Sequence, residues 1–180
     1  MTVLLSGGPD SAACASLLLD RKHSVQALFL DYGQAGRVHE ARSALLVSRH
    51  LQIALATATL SAGGAFGQGE IQGRNAFLVF SALMLSDRLP RLIALGIHAD
   101  SPYYDCTPRF LGQIDQLVAE CSSGKIRVVA PLSTWTKAEI LTYCSTSGIP
   151  LAETYSCENG AVPPCGTCLS CRDRHEHPPR

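Results

Sequence analysis

The sequence lacks the features that mark membrane, secreted and nucleic-acid-binding proteins. No apolar run reaches the roughly 20 residues that a membrane-spanning helix needs. The first residues carry no charged side chain and lead directly into a glycine-rich motif, so they do not have the form of a secretory signal. Fifteen basic residues balance fifteen acidic ones, which leaves no overall basic charge to attract nucleic acid. We therefore expect a cytoplasmic protein that binds neither membrane nor nucleic acid.

The chain also lacks internal repeats, and its 180 residues suit one domain. Apolar runs alternate with longer amphipathic stretches, which is typical of βα units that form a parallel sheet. The predicted strands cover residues 3–5, 25–30, 53–57, 92–97 and 126–129. The predicted helices cover residues 10–21, 37–50, 76–88, 108–121 and 136–148. The helix at 76–88 is apolar on nearly every face, so we expect it to be buried, with Asn75 as its N-cap.

These elements predict a single-domain α/β fold of the Rossmann-like kind, in which a five-stranded parallel sheet is flanked by helices. The sheet and its helices occupy residues 1–150. Residues 151–180 are rich in Cys, Gly and Pro and show no helical or strand periodicity. We interpret them as a metal-binding segment packed on the same domain.

A glycine-rich string joins the first predicted strand to the first predicted helix. It reads Ser6-Gly7-Gly8-Pro9-Asp10-Ser11. Its glycines let backbone N–H groups approach an anion, the helix N-terminus adds unpaired donors, and Ser6 and Ser11 add hydroxyl groups. A carboxylate at Asp10 suits phosphates when Mg²⁺ bridges them. Because the loop has no Walker A lysine, we expect it to bind the pyrophosphate portion of ATP, with cleavage between the α and β phosphates. The alternative is an ordinary glycine turn.

Four of the eight cysteines crowd into the last part of the chain, while the other four are scattered and resemble small buried side chains. The crowded set is Cys157, Cys165, Cys168 and Cys171. Without a secretory signal, such crowding indicates metal ligation more than disulfides. Four thiolates suit a structural Zn²⁺. An iron–sulfur cluster and four free thiols are the alternatives.

Several short strings resemble, in order and spacing, the 7-cyano-7-deazaguanine synthase (QueC) family of PP-loop ATP-pyrophosphatases. Besides the phosphate loop and the cysteines, they are Asp31-Tyr32-Gly33-Gln34, Gly73-Arg74-Asn75, Tyr103-Tyr104-Asp105-Cys106-Thr107-Pro108, Lys137-Ala138-Glu139-Ile140 and Thr154-Tyr155-Ser156-Cys157. The resemblance implies an ATP-dependent ligase that adenylates 7-carboxy-7-deazaguanine, lets ammonia displace AMP, and dehydrates the amide to a nitrile. It implies ATP, Mg²⁺ and Zn²⁺ as cofactors, a small-molecule substrate and, by analogy, a homodimer.

The same resemblance assigns expected roles to individual residues. The expected catalytic residues are Asp10, Ser11, Arg74 and Lys137. The expected ATP ligands are Ser6, Gly7, Gly8, Asp10, Ser11 and Gln34. The expected substrate contacts are Asn75, His98, Tyr103, Asp105 and Cys106. For His98 there is also a positional argument, because it ends a strand at the edge where open α/β sheets bind ligands. For Asp105 the alternative is a local cap in a turn.

The chain departs from the family pattern around the expected second-substrate region. The stretch before Gly73 is short, a histidine expected after Gln34 is missing, and Thr107 stands where the family has arginine; His39 and Glu40 are candidates to compensate. A QueC-like paralogue that stops at the amide, or that passes the activated deazaguanine to another amine such as a protein N-terminus, is therefore one alternative. A PP-loop RNA-modifying enzyme and a non-catalytic zinc-ribbon binding protein are the others.

Overall fold

Five strands and six α-helices alternate in a computed structural model that describes residues 1–60, 66, 69–85 and 91–176. The strands are β1 (Thr2–Leu4), β2 (Gln26–Asp31), β3 (Leu55–Thr59), β4 (Leu92–Ala94) and β5 (Arg127–Val129). The helices are α1 (Pro9–Asp20), α2 (Arg37–His50), α3 (Arg74–Met84), α4 (Pro108–Cys121), α5 (Lys137–Thr146) and α6 (Leu169–Glu176). Short 3₁₀ turns occupy Tyr104–Cys106 and Leu151–Glu153. Within these described ranges, no helix combines the length and apolarity needed to cross a membrane.

The five strands form one all-parallel sheet in the order β3-β2-β1-β4-β5, which confirms the predicted fold class. The chain runs outward from β1 through β2 to β3 and then crosses back to place β4 on the other side of β1. Val3 is accordingly in register with Ala27 on one side and Ala94 on the other. The strand order reverses between β1 and β4, and open α/β sheets bind ligands at the carboxyl ends of strands at such a point.

Helices cover both faces of the sheet. Because successive side chains of a strand point to opposite faces, each face has its own buried cluster. Val3, Phe29 and Ala94 belong to one buried cluster together with residues of α1, α2 and α5. Leu4 and Leu28 belong to a second cluster with residues of α3 and α4. The central strand β1 is buried along its whole length, so the loop that follows it starts from a rigid support.

Local capping chemistry sets the start of several helices. Thr107 accepts a hydrogen bond from Phe110 N at 3.2 Å and so caps α4, as predicted. Thr136 and Glu139 form the predicted capping box at the start of α5. Pro9 occupies the first turn of α1, where a missing N–H costs nothing.

Three predictions about local structure are wrong. Asn75 is not the N-cap of α3; Gly73, with φ 72°, holds that position, and Asn75 lies inside the first turn. The helix is also not buried on all faces, since Phe77 and Met84 are 44% and 83% exposed. Its predicted end, at residue 88, lies outside the described residues. Finally, α6 lies in a segment for which the sequence predicted no helix.

Candidate functional site

A cleft of about 250 Å³ opens at the carboxyl ends of β1 and β4, where the strand order reverses. Most of the residues singled out in the sequence line it: Ser6, Gly8, Asp10, Ser11, Gln34, Arg74, Asn75, His98, Tyr103, Cys106 and Lys137. Gly7 and Asp105 are not among the lining residues, although residues next to them in the chain are. The topology therefore brings residues from six separate stretches of sequence to one place, which is the property expected of a binding site.

The phosphate loop is held between α2 and the end of β4 by close backbone packing. A Cβ atom on Gly7, whose φ is 81°, would come within 2.6 Å of the carbonyl oxygen of Glu40. A Cβ atom on Gly96 would come within 2.8 Å of the carbonyl oxygen of Asp10. Real Cβ atoms do not approach backbone this closely, so both positions require glycine. The loop conformation is therefore fixed by its neighbours before any ligand binds.

Two serine hydroxyl groups meet at the start of α1. Ser11 Oγ donates to Gly8 O at 3.0 Å and lies 3.2 Å from Ser6 Oγ. The helix begins immediately after Gly8, so the N–H groups of its first turn and the positive end of its dipole are at the cleft. Hydroxyl groups, amide donors and a helix N-terminus together make an anion site.

Lys137, from the first turn of α5, enters the same loop. Its Nζ donates to both carboxylate oxygens of Asp10, at 2.6 and 2.8 Å. The lysine side chain is only 6% exposed, and its backbone N donates to Asp100 Oδ2 at 2.7 Å. The sequence of the phosphate loop contains no lysine, but Lys137 of α5, which is distant in sequence, lies at the loop. This lysine compensates the charge of the Asp10 carboxylate, and the binding of Mg²⁺ at Asp10 stays a prediction.

Gln34 holds the turn between β2 and α2. Its Oε1 accepts from Tyr32 N at 2.9 Å, and its Nε2 donates to Leu30 O at 3.2 Å and to Glu40 Oε2 at 2.9 Å. Burial raises the pKa of Glu40, and the hydrogen bond from Gln34 partly opposes this shift. Both ends of the Gln34 amide are engaged within the protein, so this geometry supports a positioning role; its contact with ATP stays a prediction.

Asn75 and Asp105 tie the start of α3 to the 3₁₀ turn before α4. Asn75 N donates to Asp105 Oδ2 at 3.0 Å, and Asn75 Nδ2 donates to Asp105 O at 2.9 Å. Asp105 is buried, and its carboxylate serves as a cap for α3. Asp105 therefore caps a helix from across the fold and not within its own turn, and its contact with substrate stays a prediction. Cys106, beside it, remains in the cleft lining, and burial raises the pKa of its thiol.

Two buried polar atoms at the cleft have no hydrogen-bond partner within the described residues. They are Nδ1 of His98 and Oγ of Ser156. Buried polar atoms in proteins are normally paired, so unpaired ones at a cleft are candidates for ligand contact. The sequence indicated His98 by its place after β4. It did not single out Ser156, and the available signal was its position directly before a predicted metal ligand.

The C-terminal segment forms one wall of the cleft. Tyr155 N donates to Gly7 O at 3.0 Å, which joins this wall directly to the phosphate loop. Arg174, on α6, donates to Leu151 O at 2.8 Å and to Thr154 O at 3.1 Å. Other wall residues that the sequence did not single out also line the cleft: Glu158, Ser170 and Asp173. The segment is therefore part of the site and not an appendage to it.

The four crowded cysteines converge beside this wall. Their Sγ atoms all lie within 4.8 Å of one another. Tetrahedral coordination with Zn–S bonds of about 2.3 Å requires S–S separations of about 3.8 Å, close to this arrangement. A four-iron cluster would hold its cysteine sulfurs farther apart. The four cysteines can therefore hold a single metal ion.

Hydrogen bonds around the sulfur atoms favour thiolates at part of this group. Cys165 N donates to Cys157 Sγ, and Cys168 N donates to Cys165 Sγ, both at 3.4 Å. The Thr167 hydroxyl group and nearby backbone N–H groups lower the pKa of Cys165 to about 6. Metal ligation requires the thiolate form, so this environment suits a metal ligand.

Comparison with known proteins matches the family model described as queuosine biosynthesis protein QueC to residues 1–71 and 64–177. The chain belongs to the QueC family. Two 7-cyano-7-deazaguanine synthases, from a Synechococcus strain and from Aquifex aeolicus, are 33% and 30% identical to it. These alignments cover 95% and 97% of this chain and 88% and 94% of the relatives.

A solved structure shares the fold of this QueC family member. It is a predicted subunit of a tRNA methyltransferase from Methanocaldococcus jannaschii, which is 13% identical. The superposition covers 86% of this chain and 91% of that chain, with a TM-score of 0.51. At this identity the likeness concerns the fold alone.

The family relatives carry residues that this chain lacks. The alignment with the Synechococcus protein spans 202 positions, whereas this chain has 180 residues. The family model matches in two pieces that meet at residues 64–71. This junction lies in the stretch before Gly73 that the sequence indicated as short; residues 61–65 and 67–68 lie outside the described part of the chain.

Proposed function

We propose that this QueC family member is an ATP-dependent carbon–nitrogen ligase of queuosine biosynthesis that converts 7-carboxy-7-deazaguanine to 7-cyano-7-deazaguanine. The acid is adenylated with release of pyrophosphate, ammonia displaces AMP to give the amide, and a second activation allows dehydration to the nitrile. One observation carries the proposal. The anion site at Ser6–Ser11, with Lys137 inside it, lies at the strand-order reversal of a chain whose relatives are named 7-cyano-7-deazaguanine synthases.

The proposed chemistry begins with a poor electrophile, since a free carboxylate has no good leaving group. Joining it to AMP creates one, and the residues of the cleft suit this step. Backbone N–H groups of the loop and the hydroxyl groups of Ser6 and Ser11 bind the phosphates that leave as pyrophosphate. Lys137 stabilises the charge that develops during transfer, and Arg74, which also lines the cleft, orients the acid.

A cysteine nucleophile is not needed in this scheme, and the cysteines near the loop are poorly suited to be one. Burial raises the pKa of Cys14 and of Cys144 to about 12. Burial also raises the pKa of Cys106, the cysteine in the cleft lining. Thiols with raised pKa values stay protonated at neutral pH and are weak nucleophiles. This supports direct attack of the carboxylate on ATP.

Two metal ions belong to the proposal. Mg²⁺, held by Asp10 together with the ATP phosphates, would neutralise phosphate charge. Zn²⁺, held by Cys157, Cys165, Cys168 and Cys171, would be a closed structural site, since all four positions are taken by protein sulfur atoms. We expect about one zinc per chain by elemental analysis; iron with sulfide would contradict this assignment.

The test is a turnover assay with purified protein, ATP, Mg²⁺, 7-carboxy-7-deazaguanine and ammonium. We expect AMP, pyrophosphate and, by mass spectrometry, the nitrile. ADP with orthophosphate would contradict the proposed cleavage. Ser11→Ala should lower the rate at least about 10-fold, because it removes a hydrogen bond to a charged group. Ser145→Ala is the matched control, since Ser145 is an exposed residue of α5 whose hydroxyl donates to Leu141 O.

A second candidate function is transfer of the activated acid to an amine larger than ammonia, such as a protein N-terminus. The observation that favours it is the short segment before Gly73, because Gly69 lines the cleft and no atom of the described residues, apart from its neighbours in the chain, lies within 4 Å of its Cβ position. Replacing ammonium with a glycine-initiated peptide distinguishes the two, since only the second function adds the deazaguanine mass to the peptide. Accumulation of the amide would indicate a paralogue that omits the dehydration.

Two further parts of the proposal concern assembly and partners. We propose a homodimer, which light scattering tests directly through the molar mass. We also expect no stable binding of nucleic acid. Retention of labelled tRNA at physiological salt would instead support an RNA-modifying enzyme.

A further inference from the structure

Ser156 has a buried hydroxyl group and lies next to the phosphate loop. Its Oγ is inaccessible to solvent and has no hydrogen-bond partner within residues 1–60, 66, 69–85 and 91–176. The residue lines the cleft. A Cβ atom placed on Gly8 would lie 3.5 Å from the carbonyl oxygen of Tyr155 and 3.9 Å from Ser156 Cβ. Ser156 therefore lies beside Gly8, the residue that directly precedes the first turn of α1, where the proposed phosphates bind.

The backbone on both sides of Ser156 is fixed. Before it, Tyr155 N donates to Gly7 O at 3.0 Å. After it, Cys157 is buried and belongs to the four-cysteine group, and its Sγ accepts from Cys165 N. A hydroxyl group held in this way gains a ligand contact without an added cost of ordering its backbone, which is the property of a preorganised donor.

From these observations we infer that Ser156 Oγ donates a hydrogen bond to a phosphate of the bound nucleotide, as a third hydroxyl group beside Ser6 and Ser11. The metal at Cys157 holds this donor in place, so metal and nucleotide bind cooperatively. The inference rests on the proposed binding of ATP at the phosphate loop. It adds a residue from the C-terminal wall to that site and gives the metal site an influence on nucleotide affinity.

Cooperativity has a thermodynamic consequence that can be measured without turnover. If the metal raises the affinity for nucleotide by some factor, the nucleotide raises the affinity for the metal by the same factor. Residues 155–157 provide a direct route for the effect, because they contact the loop at one end and carry a metal ligand at the other. Removing the Ser156 hydroxyl group should therefore reduce both affinities only when the other ligand is present.

The first experiment measures binding of α,β-methylene-ATP by calorimetry to the zinc-loaded wild type and to Ser156→Ala. We expect the variant to bind about 10-fold more weakly, as for loss of a hydrogen bond to a charged group, with its zinc content unchanged. Ser145→Ala, outside the cleft, should bind as the wild type does. Equal affinities for wild type and Ser156→Ala, or loss of zinc from the variant, would overturn the inference. The hydroxyl group would then bond to an ordered water molecule or have a purely structural role.

The second experiment measures zinc affinity by competition with a chelator, with and without α,β-methylene-ATP. We expect the nucleotide to tighten zinc binding in the wild type and to lose most of this effect in Ser156→Ala. No effect in the wild type would overturn the cooperativity. A wild type that binds no nucleotide at all would instead contradict the proposed function, so the two failures are distinguishable.

Discussion

The two walls of the cleft are held by different interactions. On the phosphate-loop side, α1 packs its buried residues, among them Ala12, Ala13 and Leu17, into the main apolar cluster beneath the sheet. On the other side, residues 151–176 place only Thr154, Cys157 and Cys171 among the buried residues and fold into short turns and one short helix. The first wall is stabilised by apolar burial, whereas the second depends on four sulfur atoms that a metal can join.

This difference means that the walls should respond differently to the same perturbation. Loss of the metal should loosen the C-terminal wall and leave the sheet in place. Disturbing the loop should destabilise the whole domain, because its packing continues into the core. The following predictions test this contrast, in decreasing order of expected effect on the free energy of folding or metal binding.

Cys171→Ser should have the largest effect. It removes a buried ligand from a site whose metal contributes on the order of 10 kcal/mol in comparable proteins. We expect loss of zinc and of hydrogen-exchange protection in residues 151–176, with α1 and β1 still protected. Cys121→Ser, at an exposed cysteine of α4, should change neither. Simultaneous loss of protection in both walls would show that the contrast does not hold.

Gly7→Ala should destabilise the domain by about 3 kcal/mol, because it combines a left-handed backbone with overpacking against α2. Chemical denaturation measures this free energy of unfolding. Gly112→Ala is the matched control, since the Cβ position of Gly112 in α4 meets open space in the described structure. There the same substitution should stabilise the protein by up to about 1 kcal/mol. Equal effects at the two sites would contradict the packing described for the loop.

Lys137→Met should destabilise the domain by about 2 kcal/mol, since it leaves the partly buried Asp10 carboxylate without its partner. We discount the full cost of an unpaired buried charge because the Asp10 side chain is 26% exposed. The double variant with Asp10→Asn should recover most of this stability in urea denaturation. If the double variant is no more stable than Lys137→Met, the pair does not stabilise the fold. Neither variant should turn over ATP at a measurable rate.

Thr136→Ala should cost about 1 kcal/mol of stability through loss of the cap of α5. Thr142→Ala, at an exposed position within the same helix, provides the comparison and should be nearly neutral. Thermal unfolding of both variants at one pH gives the measurement. A cost at position 142 as large as that at 136 would mean that helix propensity, and not capping, is responsible.

The same cap predicts a small pH dependence. Backbone and hydroxyl donation from Thr136 lowers the pKa of Glu139 in the folded protein. The folded pKa is below the unfolded one, so the stabilisation is present above the unfolded pKa and is lost as pH falls through the folded pKa. The stability difference between wild type and Glu139→Gln should therefore disappear toward acidic pH. A difference that stays constant with pH would exclude the carboxylate as its source.

Local chemistry explains which parts of the fold could be predicted. Thr107 before Pro108 sets the start of α4, and the capping box sets the start of α5, so both follow from neighbouring residues alone. Asn75 has equally good capping chemistry, but its side chain bonds to Asp105 across the fold instead. The start of α3 therefore depends on a tertiary contact that no local pattern contains.

The candidate site also combines features that the local sequence predicts with features that depend on tertiary contacts. The phosphate loop and the cysteines are compact strings, so their spacing was enough to predict their chemistry. The pairing of Lys137 with Asp10 joins residues far apart in sequence and was not predicted; the family resemblance indicated the two residues only separately. The helix α6 was missed because its first turn depends on Glu158, which accepts hydrogen bonds from Ser170 N and Oγ. Side-chain partners of this kind become visible only after the segment has folded.

The bond from Tyr155 N to Gly7 O also has a consequence for how the enzyme is made. A ribosome releases the phosphate loop before it releases the residues that close it. A nascent chain can therefore form its first strand and helix while the pocket still stands open on one side. The residues that close the cleft emerge later, so a nascent chain that has not yet released Tyr155 lacks this wall of the site.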